Sequence, residues 1–195
     1  EFGLTEIYTN FAAHSVLAVI RGNNSGKTIL FRTELDALPI AEANTFEHRS
    51  DQDGISHKCG HDGHIATLIS LAHHFSENPL EKGIILFLFQ PSEEIGTGAK
   101  TVLDSQILDK FEIDFVFAYH NLPGYPLGLT LCKSGTFTPS VESFNATLIG
   151  KSCHASEPRK GRNPANAISE FIQFMEGFQQ PKKKMSNYCV VTPIH

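Results

Sequence analysis

Cysteines are scarce in this 195-residue sequence, which has only four of them, Cys59, Cys132, Cys153 and Cys189. They are too few for a disulfide scaffold at this length, and no two of them form a C-x-x-C pair. No secretion signal is visible, because the first residues lack both a basic start and an apolar core. We therefore expect free thiols and a reducing compartment, the cytoplasm.

An excess of basic residues and long apolar runs are also absent. The sequence has 16 Lys and Arg against 21 Asp and Glu, so nothing indicates the basic face of a nucleic-acid-binding protein. No apolar run approaches the roughly 18 residues needed to cross a bilayer. Hydrophobic residues make up 41% and charged residues 19%, a globular balance that argues against disorder. We expect neither nucleic acid nor a membrane as a partner.

Apolar patterning predicts alternating strands and helices in the first two thirds of the chain. Strands are expected at residues 28–35, 83–90 and 113–120, and helices at residues 63–75 and 98–108. The nearly continuous apolar run at residues 83–90 is typical of a central strand that is buried on both faces. The alternation indicates an α/β layer structure.

The pattern changes in the last third of the chain. A half-exposed strand is predicted at residues 143–149, an amphipathic helix at residues 165–178 and a further strand at residues 187–194. We therefore expect two domains, residues 1–136 and residues 137–195.

The densest cluster of ligand-type side chains is HKCGHDGH, at residues 57–64. Cys59 and His61 are two residues apart just before a predicted helix, so their side chains can converge on one centre. Thiolate and imidazole are good ligands for zinc and neighbouring transition metals. His64 falls within the helix start and is expected to support or pack rather than to bind metal. The alternative is a chance cluster of polar residues in a surface loop.

Further candidates follow the predicted strands. Glu93 and Glu94 come just after residues 83–90, and His120 ends residues 113–120. In open α/β sheets, sites form at the carboxyl ends of the strands. One of two adjacent carboxylates can bind a metal while the other moves the protons of a metal-activated water, as hydrolysis requires. The alternatives are an ordinary exposed pair of glutamates and a structural histidine.

Five segments resemble, in order, the motifs of the M20 metallopeptidase family: RTELDALPI, HKCGHDGH, FQPSEE, YHNLPG and GKSCHASEPRKGRNP. The branch they resemble includes N-acyl-amino-acid amidohydrolases, hippurate hydrolases and auxin-conjugate hydrolases. The resemblance implies a partial three-layer α/β/α zinc-peptidase-like catalytic domain with an inserted, partial α+β ferredoxin-like lid or dimerisation domain. It also implies a metal-dependent hydrolase that cleaves the amide bond of N-acyl amino acids.

The resemblance further implies a cofactor, a partner and residue roles. It implies two divalent transition-metal ions (Zn, Mn, Co or Ni) and a homodimer formed through the lid domain. The implied metal ligands are Cys59, His61, Glu94 and His120. Glu93 matches the general base, Asp36 matches an acidic residue beside the metals, and His154 matches a lid residue that holds the substrate carbonyl oxygen in the partner subunit's active site. The family commonly has an aspartate where Glu34 stands.

Other readings of the function stay open. A dipeptidase or carboxypeptidase on the same scaffold is one. The family's last histidine ligand lies in a C-terminal part of the catalytic domain, and we expect this sequence to be a fragment that ends before it. An inactive fragment that serves as a binding or dimerisation module is therefore the other.

Overall fold

The computed structural model of the chain describes residues 6–178 and 188–194. The chain divides into two compact units, residues 1–126 and residues 127–195, and each unit is described by itself. Within the described ranges, no helix is both long and apolar enough to cross a bilayer.

A mixed five-stranded sheet forms the centre of the first unit. Its strands are β1 (Glu6–Thr9), β2 (Val16–Arg21), β3 (Asn24–Glu34), β4 (Lys82–Gln90) and β5 (Phe115–Ala118). They lie side by side in the order β1-β2-β4-β3-β5. Strands β3, β4 and β5 are parallel, whereas β2 is antiparallel to both β1 and β4. The three predicted strands are therefore present, with a pair of antiparallel strands added at one edge.

Helices cover both faces of this sheet. Helix α1 (His61–Glu77) packs on one face, while α2 (Gly98–Asp104) and the 3₁₀ turn Ile107–Lys110 pack on the other. Successive residues of β2, β3 and β4 alternate between the two cores, so that Leu86 joins the core under α2 and Phe87 joins the core under α1. The unit thus has three layers, and the predicted α/β class is confirmed.

Aromatic side chains fill much of the core under α1. Phe31 of β3 stacks between Phe87 of β4 and Phe117 of β5, with ring centroids 6.2 and 5.6 Å apart. The side chain of Phe87 is fully buried. Burial of a phenylalanine side chain contributes about 1.5–3 kcal/mol to stability. These contacts hold the three parallel strands together just below the ends that carry the candidate site.

The second unit contains helix α3 (Ala165–Glu176), which forms where it was predicted. The predicted strands at residues 143–149 and 187–194 do not form in residues 143–149 and 188–194, and residue 187 lies outside the described residues. A strand needs a neighbour for its backbone groups. The described part of this unit offers only an isolated bridge between Lys151 and Arg162. Its described residues therefore form a helix, a short 3₁₀ turn at Pro158–Lys160 and no sheet, which differs from the expected α+β lid.

Candidate metal centre

The candidate residues of the first unit lie at the carboxyl ends of the three parallel strands. Asp36 follows β3, the two adjacent glutamates follow β4, and His120 follows β5. The loop before α1 and the first residue of that helix supply Cys59 and His61. The location agrees with the general position of sites in open α/β sheets.

His61 is the residue shared by the groups that can reach a single ion. It forms one group with Cys59 and His120 and another with Glu93 and Glu94, and in each group the ligand atoms lie within 4.8 Å of one another. Sγ of Cys59 lies 3.4 Å from Nε2 of His120. Nε2 of His61 lies 3.7 Å from a carboxylate oxygen of Glu93 and 3.7 Å from one of Glu94. The four expected ligands and the expected base therefore lie side by side.

Hydrogen bonds to backbone oxygens aim both histidine rings. Nδ1 of His61 lies 2.8 Å from the backbone oxygen of Asp36 and must donate, because a carbonyl oxygen only accepts. Nδ1 of His120 donates in the same way to the backbone oxygen of Asn121, at 2.7 Å. Each Nε2 therefore keeps a lone pair that faces the cluster. Ring-orienting bonds of this kind are the usual support of a metal-binding histidine.

Two buried polar atoms at the centre have no hydrogen-bond partner among the described residues. They are Nε2 of His61 and Oδ1 of Asp36. Leaving a buried acceptor unsatisfied costs about 1–3 kcal/mol. A divalent cation would satisfy the nitrogen, and the surrounding set of thiol, imidazole and carboxylate groups is suited to transition metals. The residues present therefore fit a metal centre.

Asp36 fixes the turn that carries Glu94. Its Oδ2 accepts a hydrogen bond of 3.0 Å from the backbone N–H of Glu94. Burial raises the pKa of Asp36, but hydrogen bonds from the backbone N–H groups of Glu94 and Glu93 outweigh it and hold that pKa below its ordinary value. The ionised carboxylate thus lies beside His61 and holds the turn after β4 in place.

A strained residue turns the chain between β4 and the two glutamates. Ser92 has a φ of 59°, in the left-handed region that residues other than glycine seldom occupy. Its backbone oxygen accepts the N–H of Gly98, the first residue of α2, at 3.0 Å. Such strain concentrates at functional sites. Here it directs two successive carboxylates toward the same imidazole.

The thiol of Cys59 lies among negative charges. Burial raises its pKa, and the carboxylates of Glu94, Glu93 and Glu34 raise it further, to about 11. A thiol binds metal only as the thiolate, so ligation requires that this proton leave. A cation between the thiol and the carboxylates would reverse their repulsion and favour the thiolate.

Further polar side chains form hydrogen bonds with one another behind the candidate metal ligands. Nδ1 of His64 lies 3.0 Å from Oε2 of Glu34, and Nε2 of His64 accepts the backbone N–H of Asn121 at 2.9 Å. The other oxygen of Glu34 is bonded by Arg32. The ligand atoms of Glu34, His61 and His64 also lie close enough together to reach one ion. Glu34 and His64, however, already have hydrogen-bond partners. The expected supporting place of His64 agrees with this geometry, whereas Arg32 and Asn121 had no role in the sequence analysis.

His154 belongs to the second unit. It is exposed, and its Nδ1 lies 2.7 Å from Oγ of Ser156. The candidate metal ligands all belong to the first unit. The substrate-binding role of His154 stays a prediction.

Comparisons with known proteins agree with the geometry. The model of peptidase family M20/M25/M40 matches residues 30–187. Hippurate hydrolase from Campylobacter jejuni is 32% identical over 192 residues, which are 98% of this chain and 50% of that protein. N-acetylcysteine deacetylase from Bacillus subtilis is 36% identical over 162 residues, or 83% of this chain and 42% of that protein. The chain thus spans about half the length of the curated relatives it matches.

A solved structure supports the same relationship. A Bacillus subtilis protein described as a dinuclear metal binding peptidase of the M20 family superposes with a TM-score of 0.60 and 36% sequence identity. The match covers 65% of this chain and 35% of that one. A mixed α/β fold is therefore shared with a protein whose description includes two metals.

Proposed function

The chain belongs to peptidase family M20/M25/M40, and on that premise we propose that it carries the metal-binding core of a hydrolase that cleaves the amide bond of N-acyl amino acids. The observation that carries the proposal is Nε2 of His61, which is buried, has no hydrogen-bond partner among the described residues and lies 3.7 Å from two carboxylates. Relatives named for hydrolysis of hippurate and N-acetylcysteine support the substrate class.

Four side chains would hold the ions, and they are Cys59, His61, Glu94 and His120. When bound, divalent ions supply Lewis-acid polarisation of the scissile carbonyl and acidify water to a pKa of about 7. The chemistry of the donors suits zinc, manganese, cobalt or nickel. Of the two proposed ions, His61 would bind only one, because Nε2 is its one nitrogen with a free lone pair. Metal analysis of the purified chain tests this, and fewer than one ion per chain would contradict it.

Glu93 would move the protons of the reaction. Its carboxylate is partly exposed and adjoins the ligand Glu94, so it lies beside the centre while remaining open to water. It takes one proton from water as the water oxygen bonds to the acyl carbon. It then gives that proton to the nitrogen as the C–N bond breaks, which yields a carboxylic acid and a free amine. Proton transfer of this kind contributes about 10²–10⁴-fold to the rate.

Variants of the two adjacent glutamates separate these roles. Glu93→Gln should keep the metal content and lower kcat about 10²–10⁴-fold, whereas Glu94→Gln should lower the metal content itself. Glu112→Gln, at an exposed position in the same unit, is the matched control and should change neither. Near-normal turnover by Glu93→Gln with metal bound would exclude Glu93 as the base.

The substrate class needs its own assay. The metal-loaded chain is compared on N-acetyl amino acids, N-benzoylglycine and unmodified dipeptides at equal concentration. We expect a higher kcat/KM on the first two. A preference for dipeptides would instead show a peptidase on this scaffold, and absence of hydrolysis with metal bound would indicate a binding module.

We also propose that residues 137–195 form the first part of a lid domain that pairs two subunits. His154 would then hold the substrate carbonyl oxygen in the active site of the other subunit. Its Nδ1 is occupied by Ser156, and no described residue bonds its Nε2. Sedimentation equilibrium tests the dimer, and His154→Gln should lower kcat about 10²–10³-fold if the contact is an oxyanion donor. Unchanged kcat would remove that role.

We propose a reducing compartment, the cytoplasm, as the location of the protein. All four cysteines are free, as is usual for proteins kept under reducing conditions. Fractionation of source cells that produce the protein with a redox-inert tag tests the location, because the tagged protein should appear in the cytoplasmic fraction.

A further inference from the structure

We propose that His64 is a positioning residue that holds the two halves of the metal centre together, through its hydrogen bonds to Glu34 and Asn121. The inference rests on the proposed metal centre and goes beyond it, since it assigns a role to side chains that are not ligands.

The two halves of the centre come from distant parts of the chain. Cys59 and His61 stand at the start of α1, whereas His120 follows β5. His64 lies one turn further along α1 than its entrance, and its Nε2 accepts the backbone N–H of Asn121 at 2.9 Å. A single imidazole therefore connects the helix that begins with His61 to the residue next to His120.

The ring of His64 is held on both sides. It is 2% exposed. Oε2 of Glu34 lies 3.0 Å from Nδ1, and a carboxylate oxygen only accepts, so Nδ1 carries a proton and donates it. Nε2 lies 2.9 Å from the backbone nitrogen of Asn121 and 2.8 Å from its Oδ1. Glu34 is fixed by Arg32, and Nε of Arg32 donates to Oε1 of Gln90 at 3.0 Å. This series of hydrogen bonds ends at Gln90, the last residue of β4, next to the turn that carries the two glutamates.

Packing reinforces these hydrogen bonds. The ring of His120 lies against that of His64, with centroids 4.5 Å apart and planes inclined at 63°. The side chain of Asn121 lies against Gly60, the residue between the ligands Cys59 and His61. A Cβ on that glycine would come within 2.6 Å of Nδ2 of Asn121. The loop after β5 is thereby seated directly on the loop that carries the first two ligands.

Two roles of His64 predict different effects of its replacement: positioning of the metal ligands, and simple filling of the core. If His64 served only to fill space, a phenylalanine of similar shape would preserve the centre. If its hydrogen bonds set the distance between Cys59 and His120, loss of those bonds should weaken metal binding. Replacing such outer partners of metal ligands typically lowers metal affinity about 10–100-fold.

The test compares cobalt(II) binding to the full chain and its variants. His64→Phe keeps a ring and removes both hydrogen bonds, whereas His64→Gln keeps one donor for Glu34 and one acceptor for Asn121. His73→Phe is the matched control on the exposed side of the same helix. Affinity is measured by competition with a chelator, and thiolate-to-cobalt charge-transfer absorption reports the bond to Cys59.

We expect His64→Phe to lower cobalt affinity about 10–100-fold and to weaken the charge-transfer band. His64→Gln should recover most of both, and His73→Phe should match the wild type. Equal affinity and an equal band in His64→Phe and wild type would overturn the positioning role while leaving the metal centre in place. A wild-type chain that binds no cobalt would overturn both proposals.

Asn121→Ala keeps the test decisive if His64→Phe does not fold. Asn121 lies in an exposed loop. The alanine removes both the Oδ1 that lies 2.8 Å from Nε2 of His64 and the side chain that packs on Gly60. We expect a smaller loss of affinity in the same direction as for His64→Phe. Unchanged affinity in a folded Asn121→Ala protein would then refute the proposal.

Discussion

Gly60 is the residue whose replacement should report most directly on the geometry of the ligand loop. Its φ of 90° and ψ of 16° lie in the left-handed region, and a residue with a Cβ pays about 1–2 kcal/mol there. In Gly60→Ala the new Cβ would come within 2.6 Å of Nδ2 of Asn121. The amide side chain has to move, at a cost comparable to one hydrogen bond, about 0.5–1.5 kcal/mol.

An opposing effect acts on the unfolded chain. Alanine has less backbone freedom than glycine, which stabilises the folded state by about 0.4–1 kcal/mol. We therefore expect Gly60→Ala to lower the free energy of unfolding by a net amount of about 0.5–3 kcal/mol. The assay is urea unfolding of the metal-free chain followed by circular dichroism. Metal affinity should also fall, because the displaced Asn121 lies next to His120.

Gly63 provides the control three residues away. It lies inside α1, and a Cβ there would meet nothing within 4 Å. Gly63→Ala should therefore raise the free energy of unfolding by about 0.5–1 kcal/mol. The reasoning is refuted if the two variants shift the urea midpoint in the same direction.

Two further predictions concern the first unit. Lys58 donates a hydrogen bond to Glu42 and lowers the pKa of that carboxyl from 4.5 to about 2. Because the pKa is lower in the folded chain, the ion pair stabilises the fold fully above pH 4.5. This stabilisation is lost as the pH falls toward 2. The difference in urea midpoint between wild type and Glu42→Gln should therefore shrink over that interval, and a constant difference would contradict the ion pair as its cause. Phe87→Ala, at a fully buried position, should destabilise the chain by about 3–5 kcal/mol, measured by the same assay, whereas a loss below about 1 kcal/mol would show a loosely packed core.

The patterns that succeeded in the sequence are local ones. The apolar runs of β3, β4 and β5 and the helical spacing of α1 each lie within a single segment. The location of the ligands at strand ends follows from the topology of parallel strands, so their proximity could be expected before any distance was measured. The motifs themselves supplied the rest of the expected site.

The features that were not predicted depend on distant partners. The apolar residues of β2 are typical of a strand. Its antiparallel pairing with β4, however, depends on a distant segment, so no short stretch of sequence could predict it. The predicted strand at residues 143–149 had the right alternation and found no neighbour among the described residues. The contacts of His64 with Glu34 and Asn121 join positions 30 and 57 residues apart. Polarity alone could mark Asn121, which directly follows a candidate ligand, but could not show what it touches.

The place of β2 in the sheet has a consequence for how the chain acquires its structure during synthesis. Val16 pairs with Phe89 and Arg21 pairs with Ile84, so this early apolar segment can pair with β1 but cannot join the rest of the sheet until the ribosome has released β4. Contacts between positions so far apart slow folding. During that delay the nascent chain exposes an apolar segment that is prone to aggregation. Chaperones that bind such segments should therefore raise the yield of folded protein.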